Sequence, residues 1–540
     1  MKKTNKTKVI TITALLSLSL IFSGCSAGSK HEQNESNTFV RSSSGFDISD
    51  NDRVFYEIFV GSFADSNGDG IGDLRGIIDK MDYLNDGDPT SDKSLGIGGI
   101  WLTPIFLSPS YHKYDVTDYY TIDPDFGSPE DLAELIKICH ERNVKLILDL
   151  PINHTSIENE YFKEFALAHR TNATDDPFYD FYSYCGAGDA DPSRRFARIG
   201  SCDELYECNF DDSMPELNFD NEKVYETVTD IARHYLQLGV DGFRFDAAKY
   251  IYFGDDELSV SFWKRYTDDL KKDYPNIYIV SEVWDSSRIS DKYLTAGRCF
   301  NFDSAQVDGV IADTAMKGDA GKYCSYVESL TANVRSINPS DGPCLFISNH
   351  DMDRAAGYLT VASGYAQMAA NLYILTPGSP FIYYGEEAGL RGSRGSANTD
   401  ANRRLSMPWG DDSVASDPEG TTYDTDKKAE YTIAEQNDKD WSLLNHYRQL
   451  IKIRNDNPAI AHGEIISFSF PDSKVGGFVA TYEGKDVCVI HNPSSSSFIG
   501  DIYEITGKRF TEINAYLGAE KAILEGDMIT IGAQTSAVLR

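Results

Sequence analysis

The segment 239–250 constrains the fold more than any other part of the chain. It opens as an apolar run through Phe243 and Phe245 and ends in charge, with Arg244, Asp246 and Lys249. Side chains in a strand alternate faces, so Arg244 and Asp246, two apart, point the same way. A guanidinium beside a carboxylate keeps that carboxylate ionised at neutral pH, which is the state a nucleophilic aspartate needs. Three other segments make the same passage from apolar strand to polar end. Residues 144–154 end in Asp149, Asn153 and His154, residues 277–284 deliver Glu282 followed by Val283 and Trp284, and residues 344–351 deliver Asn349, His350 and Asp351. Burial beside Val283 and Trp284 raises the pKa of Glu282 and suits it to proton donation.

Around these segments the chain alternates short apolar runs with longer helical patterns. Strands are expected to begin near Val54, Gly98, Val144, Val240, Ile277, Cys299, Cys344 and Pro380, with helices over 130–142, 222–238, 258–272 and 356–375. Such alternation predicts an α/β fold of parallel strands joined by crossover helices. Eight units predict a closed (β/α)8 TIM barrel with its site at the carboxyl ends of the strands; an open doubly wound sheet is the alternative. The interval 151–220 is too long and too aperiodic for a simple loop, and reads as an inserted domain after the third strand. Beyond Gly463 the pattern changes to alternating β-type runs at 464–470, 477–482, 486–491 and 528–531, which predicts a C-terminal antiparallel β-sandwich. The expected organisation is therefore a barrel over 46–150 and 221–460, the insertion over 151–220 and the β domain over 461–540.

The four strand-end segments, in this order, resemble the four sequence blocks of the α-amylase family of glycoside hydrolases, over about residues 54–409. Met214 to Asn218 resembles a further block of the neopullulanase and oligo-1,6-glucosidase branches. The resemblance implies a retaining mechanism with two carboxyl groups about 5 Å apart, Asp246 as nucleophile and Glu282 as acid/base. It also implies that Asp351 stabilises the transition state, that His154 and His350 bind sugar hydroxyls, and that Arg244 orients Asp246. Tyr114 would stack on the glucose unit being cleaved. Position 111 departs from the exo-acting glucosidases, which carry an aspartate there to grip the terminal sugar together with an arginine that Arg404 matches. Tyr111 in its place favours internal cleavage. After the nucleophile, α-1,6-specific enzymes commonly carry valine; Ala247, with Lys249 matching a lysine near the reducing-end sugars of endo-amylases, favours α-1,4 bonds. Tyr250 replaces the histidine of many amylases.

Between the first strand and its helix, Asp65, Asn67, Asp69 and Asp73 place oxygens at alternate positions among glycines, the chemistry of a calcium loop. The loop resembles that of the oligo-1,6-glucosidase branch, implying those four side chains and the Ile71 carbonyl as ligands of a structural Ca2+.

The N-terminus reads as an export signal. Lys2, Lys3, Lys6 and Lys8 precede an apolar run, 9–22, too short to span a bilayer comfortably, and residues 22–25 resemble a lipoprotein cleavage box. The expectation is a signal peptide over 1–25, lipidation of Cys25, a flexible tether over 26–45, and anchorage at the outer face of a bacterial cell membrane, with simple secretion as the alternative. The other eight cysteines contain no Cys-x-x-Cys pair, and outside the cytoplasm some of them can pair. A formal net charge of −34 argues against nucleic acid and anionic membrane surfaces as partners and permits a neutral ligand. The expected activity is endo-acting hydrolysis of α-1,4 bonds in starch or maltodextrins. The alternatives are a neopullulanase-like or maltogenic enzyme, a 4-α-glucanotransferase, or a non-catalytic glucan-binding or transporter-associated protein.

Overall fold

A computed structural model describes residues 49–518 and 520–540. The expected signal peptide, tether and lipidation site at Cys25 lie outside the described residues. Seven parallel strands form the main sheet: β1 (Phe55–Ile58), β2 (Gly99–Leu102), β3 (Lys145–Leu150), β4 (Gly242–Phe245), β5 (Tyr278–Ser281), β6 (Arg298–Cys299) and β7 (Phe381–Tyr383). Their order is β6-β5-β4-β3-β2-β1-β7. The extended segment 344–347 closes the circle: Cys344 bridges Phe300 beyond β6, and the Phe381 N–H of β7 donates to the Leu345 carbonyl at 2.8 Å. Eight parallel positions therefore form the (β/α)8 barrel, with every expected strand start within two residues of its place.

Each strand is buried on both faces, as parallel strands under crossover helices must be. The two-residue period sorts the faces. Phe55, Trp101, Ile147, Tyr278, Val280, Phe300, Phe346 and Phe381 fill the barrel interior, while Tyr56, Ile100, Leu146, Leu148, Phe243, Phe245 and Ile279 join the cluster that includes helix residues such as Leu135 and Val228. Register carries the same alternation sideways: Ile147 opposes Gly242, Asp149 opposes Arg244, and Arg244 opposes Val280. Asp149 and Arg244 thus share one layer of the interior. Gly242 is required there, because a Cβ would stand 1.9 Å from the Tyr278 carbonyl oxygen.

Helix boundaries follow from capping. The helix Pro129–Glu141 starts on a capping box between Ser128 and Asp131. The helix Glu222–Leu238 ends at Gly239, whose φ of 106° turns the chain into β4. The helical pattern over 356–375 is realised only in part. Residues Ala355–Gly357 and Val361–Ser363 are single 3-10 turns, and the helix proper is Tyr365–Ile374, because Gly364 at φ 76° interrupts it.

After β3 the chain leaves the barrel and returns in the helix Glu222–Leu238. The excursion holds the helix Glu160–Thr171 and a three-stranded antiparallel sheet, Tyr184–Gly186, Phe196–Arg198 and Glu204–Glu207. The bridge between His154 and Glu216 ties it to the end of β3. The C-terminal region forms a five-stranded and a three-stranded antiparallel sheet around a separate core that includes Phe468, Phe470, Ile490, Ile529 and Leu539. Strands Phe498–Asp501, Ile513–Gly518, Ala522–Glu525 and Thr535–Leu539 join the four expected runs. All eight described cysteines are free, six of them buried. No described helix is long and apolar enough to cross a membrane.

At the amino-terminal face, Arg298 of β6 is buried and donates to Asp52 at 2.7 Å and to Asp341 at 3.0 Å, joining the chain entry to the loop before segment 344–347. Replacing Arg298 with Met should destabilise the fold by about 3 kcal/mol, because buried Asp52 would lose its guanidinium and keep only His462, 3.5 Å away. Thermal unfolding checks this; an unchanged midpoint would show that the cluster holds nothing together.

Candidate active site

The carboxyl ends of β3, β4 and β5 meet on one guanidinium. Arg244, fully buried, donates through Nη1 to Asp149 at 2.8 and 3.0 Å and to Asp246 at 2.6 Å. Its Nη2 forms an ion pair with Glu282 at 2.6 Å, a contact of charge rather than an aligned hydrogen bond. The Trp101 ring lies 5.2 Å from the guanidinium carbon.

The backbone holds the two outer carboxylates in place. Ala247, immediately after Asp246, adopts a left-handed conformation with φ 47° and ψ 39°. Its N–H donates to Glu282 Oε2 at 3.1 Å, while the Ala248 N–H donates to the Glu282 carbonyl at 3.0 Å. A non-glycine residue in this conformation is strained, and the surrounding bonds hold it there. Asp246 and Glu282 are each 8% exposed, so both keep a little access to solvent while remaining largely shielded from water.

Asp351 joins the same cluster from the segment that closes the barrel. Arg404 Nη2 donates to its Oδ1 at 2.7 Å, and His350 Nε2 lies 3.0 Å from its Oδ2. His350 is anchored from below by Glu57 of β1, with Nδ1 to Oε1 at 2.6 Å. Tyr114 lies parallel to the His350 ring at 5.3 Å, and its hydroxyl meets His350 Nε2 at 2.7 Å and donates to Asp149 at 2.8 Å. Tyr114 therefore bridges the two halves of the cluster.

These contacts separate the protonation states. Burial, opposed by Arg244 and reinforced by Asp246 and Asp351, raises Glu282 from 4.5 to about 7. Asp351 is buried, yet His350 and Arg404 outweigh that burial and hold it well below the usual carboxylate range. Burial also disfavours the charge on His350, but Asp351 and Glu57 overcome it and lift the imidazolium to about 10. Paired carboxyl groups pushed apart in this way mark an acid/base division of labour.

Of the expected substrate-binding residues, Arg244, His350, Tyr114 and Arg404 are gathered here. His154 stands 2% exposed, with its pKa lowered by burial and its ring 5.2 Å from that of Phe210; its Nε2 has no protein hydrogen-bond partner. Lys249 is engaged by the loop after Glu282: its Nζ donates to the Trp284 carbonyl at 3.0 Å and to Asp285 at 3.2 Å. Two residues of the site were not singled out from the sequence. Glu57 is an acid inside an otherwise apolar strand, and that anomaly was its signal; Trp284 was noticed only as a neighbour of Glu282.

The expected calcium residues share one loop. Asp65 accepts from the N–H groups of Asn67, Gly68 and Gly70, Asn67 accepts from Asp69, and Asp69 accepts from Ile71. Asp73 accepts from Ser66 and caps the following helix at Gly76. The donors are hard oxygens of the kind calcium takes, but no group of three or more His, Cys, Asp or Glu side chains is gathered as a metal centre among the described residues.

The model of the α-amylase catalytic domain matches residues 57–463. Alpha-amylase 3 of Dictyoglomus thermophilum is 36% identical over 452 residues, 81% of this chain and 84% of that protein. A 4-alpha-glucanotransferase of Thermotoga neapolitana is 30% identical over 83% of this chain and 97% of its own. Among solved structures, Eubacterium rectale Amy13B superposes with a TM-score of 0.83 at 32% identity, covering 93% of this chain and 97% of its own.

The Glu57–His350 contact predicts a titration. Nitrogen NMR of the histidines should find His350 protonated until about pH 10, and Glu57→Gln should lower that value by at least one unit through the lost partner charge. A His350 that is neutral at pH 8 would contradict the charge assignment.

Proposed function

The chain belongs to the α-amylase family of glucan-active enzymes, and on that premise we propose that it hydrolyses internal α-1,4-glucosidic bonds of starch or maltodextrins with retention. The carrying observation is the single Arg244 guanidinium that spans Asp246 and Glu282. Two carboxyl groups held by one fork are close neighbours, which supports the spacing of about 5 Å of a retaining enzyme. Asp246, held in place by Arg244, attacks the anomeric carbon. Glu282, protonated at neutral pH, delivers its proton to the departing oxygen and afterwards takes one from the incoming water. Asp351, ionised beside His350 and Arg404, faces the positive charge that develops on the sugar ring.

Two features support internal cleavage of α-1,4 chains. Arg404 donates to the Tyr111 hydroxyl at 3.1 Å and to Asp351, so no carboxylate at position 111 joins it in gripping a terminal sugar. Ala247 keeps the wall after the nucleophile small. A second reading, transfer of glucan segments between oligosaccharides, is favoured by the exposed aromatic face of Trp284 beside Glu282. We further propose a structural Ca2+ on Asp65, Asn67, Asp69, Asp73 and the Ile71 carbonyl, supported by the all-oxygen donor set. We also propose export with a lipid anchor at Cys25, supported by the basic and apolar pattern of residues 1–25.

Replacing Asp246 with Asn should lower kcat on soluble starch by about a thousandfold or more; retained release of reducing ends would refute the assignment. Because the raised Glu282 loses its proton through about pH 7, kcat/KM should fall tenfold per unit above that value, and Glu282→Gln should abolish this limb. An alkaline limb that survives in Glu282→Gln belongs to another group. For calcium, a chelator should lower the thermal midpoint, by about 2.7 kcal/mol of stability if the site had been held at a hundred times its dissociation constant. Asp69→Ala should make the protein insensitive to the chelator, and an unchanged midpoint in the parent would remove the calcium proposal.

A further inference from the structure

Arg404, which holds the Asp351 carboxylate, follows directly on a second arginine. Arg403 ends the 3-10 turn Asp400–Arg403 on the loop after β7, and its side chain is 14% exposed. Its Nη1 donates to the Asp351 carbonyl at 2.7 Å and to Asp400 at 2.9 Å, and its Nε donates to Asp353 at 2.8 Å. Arg404 makes the matching contact one residue earlier, where its Nε donates to the His350 carbonyl at 3.1 Å. Two successive peptide carbonyls, those of His350 and Asp351, are thus capped by two successive guanidinium groups.

The loop that carries this pair is itself fixed. The Arg403 carbonyl accepts from Arg354 Nε at 2.8 Å and from the Tyr383 hydroxyl at 3.1 Å. Arg354 is 2% exposed and donates also to the Tyr384 carbonyl at 2.6 Å; its guanidinium carbon lies 4.2 and 4.5 Å from the rings of Tyr383 and Tyr384. Tyr383 ends β7, so Arg403 is anchored to a barrel strand. Asp353 and Asp400, the two acids on Arg403, are joined a second time by Arg394, whose N–H donates to Asp353 and whose Nη2 donates to Asp400, each at 3.0 Å.

An aspartate carboxylate is only as well placed as the peptide that carries it. Arg404 fixes one oxygen of the Asp351 side chain, and the bond from Arg403 to the Asp351 carbonyl fixes the main chain behind it. A lysine at 403 would keep the charge but lacks the rigid fork that reaches a carbonyl and a carboxylate together. We propose that Arg403 is a positioning residue for the reaction. By pinning the Asp351 peptide to the loop after β7, it sets where the Asp351 carboxylate stands against the sugar ring, and it acts through Asp351 rather than on the sugar. This inference rests on the reading of Asp351 as the group that faces the positive charge of the ring.

The test measures kcat and KM on α-maltosyl fluoride, an activated substrate that slow variants still turn over. It also measures inhibition by acarbose, whose unsaturated ring has the flattened shape of the transition state. Arg403→Ala should lower kcat about thirtyfold with KM within about threefold of the parent, as expected when a catalytic group is displaced by less than an ångström. Arg403→Lys, which keeps charge and bulk and carries the comparison if Arg403→Ala does not fold, should lose about tenfold. Acarbose should weaken by the same factor as kcat/KM in each variant, because both report fit to the transition state. A variant that merely folds less well loses active protein while its KM and acarbose inhibition stay parental. A lowered kcat with parental acarbose inhibition therefore overturns the inference, as does a parental kcat in either folded variant. In an Asp351→Asn background, Arg403→Ala should cost less than about threefold further; the full loss there shows that Arg403 acts elsewhere and also overturns it. Asp351→Asn alone separates the claims. A parental kcat in that variant removes the role of Asp351, whereas a severely slowed Asp351→Asn beside parental Arg403 variants removes only the clamp.

Discussion

A cation buried in a barrel interior is tolerable only when carboxylates surround it, and Arg244 has three: Asp149, Asp246 and Glu282. Its charge pulls together the ends of three adjacent strands that are 95 and 38 residues of sequence apart at Asp149, Arg244 and Glu282. Removing it would leave three shielded acids facing one another without their shared cation. At Asp149 burial raises the pKa to about 6 even with Arg244 in contact. The site is thus an electrostatic compromise in which one guanidinium keeps a dense group of acids compatible with folding.

A second chain of contacts works from the opposite wall. Glu57 holds His350, His350 holds Asp351 and the Tyr114 hydroxyl, and Arg404 completes the set. Tyr114 links this chain to the first through Asp149. Glu57 lies in β1, so the first strand of the barrel and the loop before β7 are coupled through one imidazolium. Such a network makes the proposed transition-state stabiliser, Asp351, a fixed anion rather than a mobile one, and a fixed anion needs no reorganisation when positive charge develops on the sugar.

The barrel and the meeting of Asp246, Glu282 and Asp351 were legible because parallel strands obey a strict period of two and end in charge. That periodicity places Arg244 and Asp246 on one face, and the register puts Asp149 beside them. What stayed hidden depended on contacts between segments remote in sequence. Nothing near Glu57 in the chain indicates that His350, 293 residues away, will sit on it. Lys249 is expected near the reducing-end sugars by its resemblance to a lysine of endo-amylases; its bonds to the Trp284 carbonyl and Asp285 depend on a loop 35 residues further on and could not be read from its own segment. The helix over 356–375 was overextended because its apolar residues continue through Gly364, whose left-handed conformation ends the regular backbone. The C-terminal strands were undercounted because short, half-exposed strands carry little alternation.

The central claim, that Asp246 forms a bond to the sugar while Glu282 manages the proton, is tested most directly by trapping. Incubating the Glu282→Gln variant with 5-fluoro-α-D-glucosyl fluoride, followed by proteolysis and mass spectrometry, should find the fluoroglucosyl ester on the peptide that carries Asp246. An ester on Glu282's loop or on Asp351, or a protein that turns the reagent over with no Asp246 adduct at any time, would contradict the account.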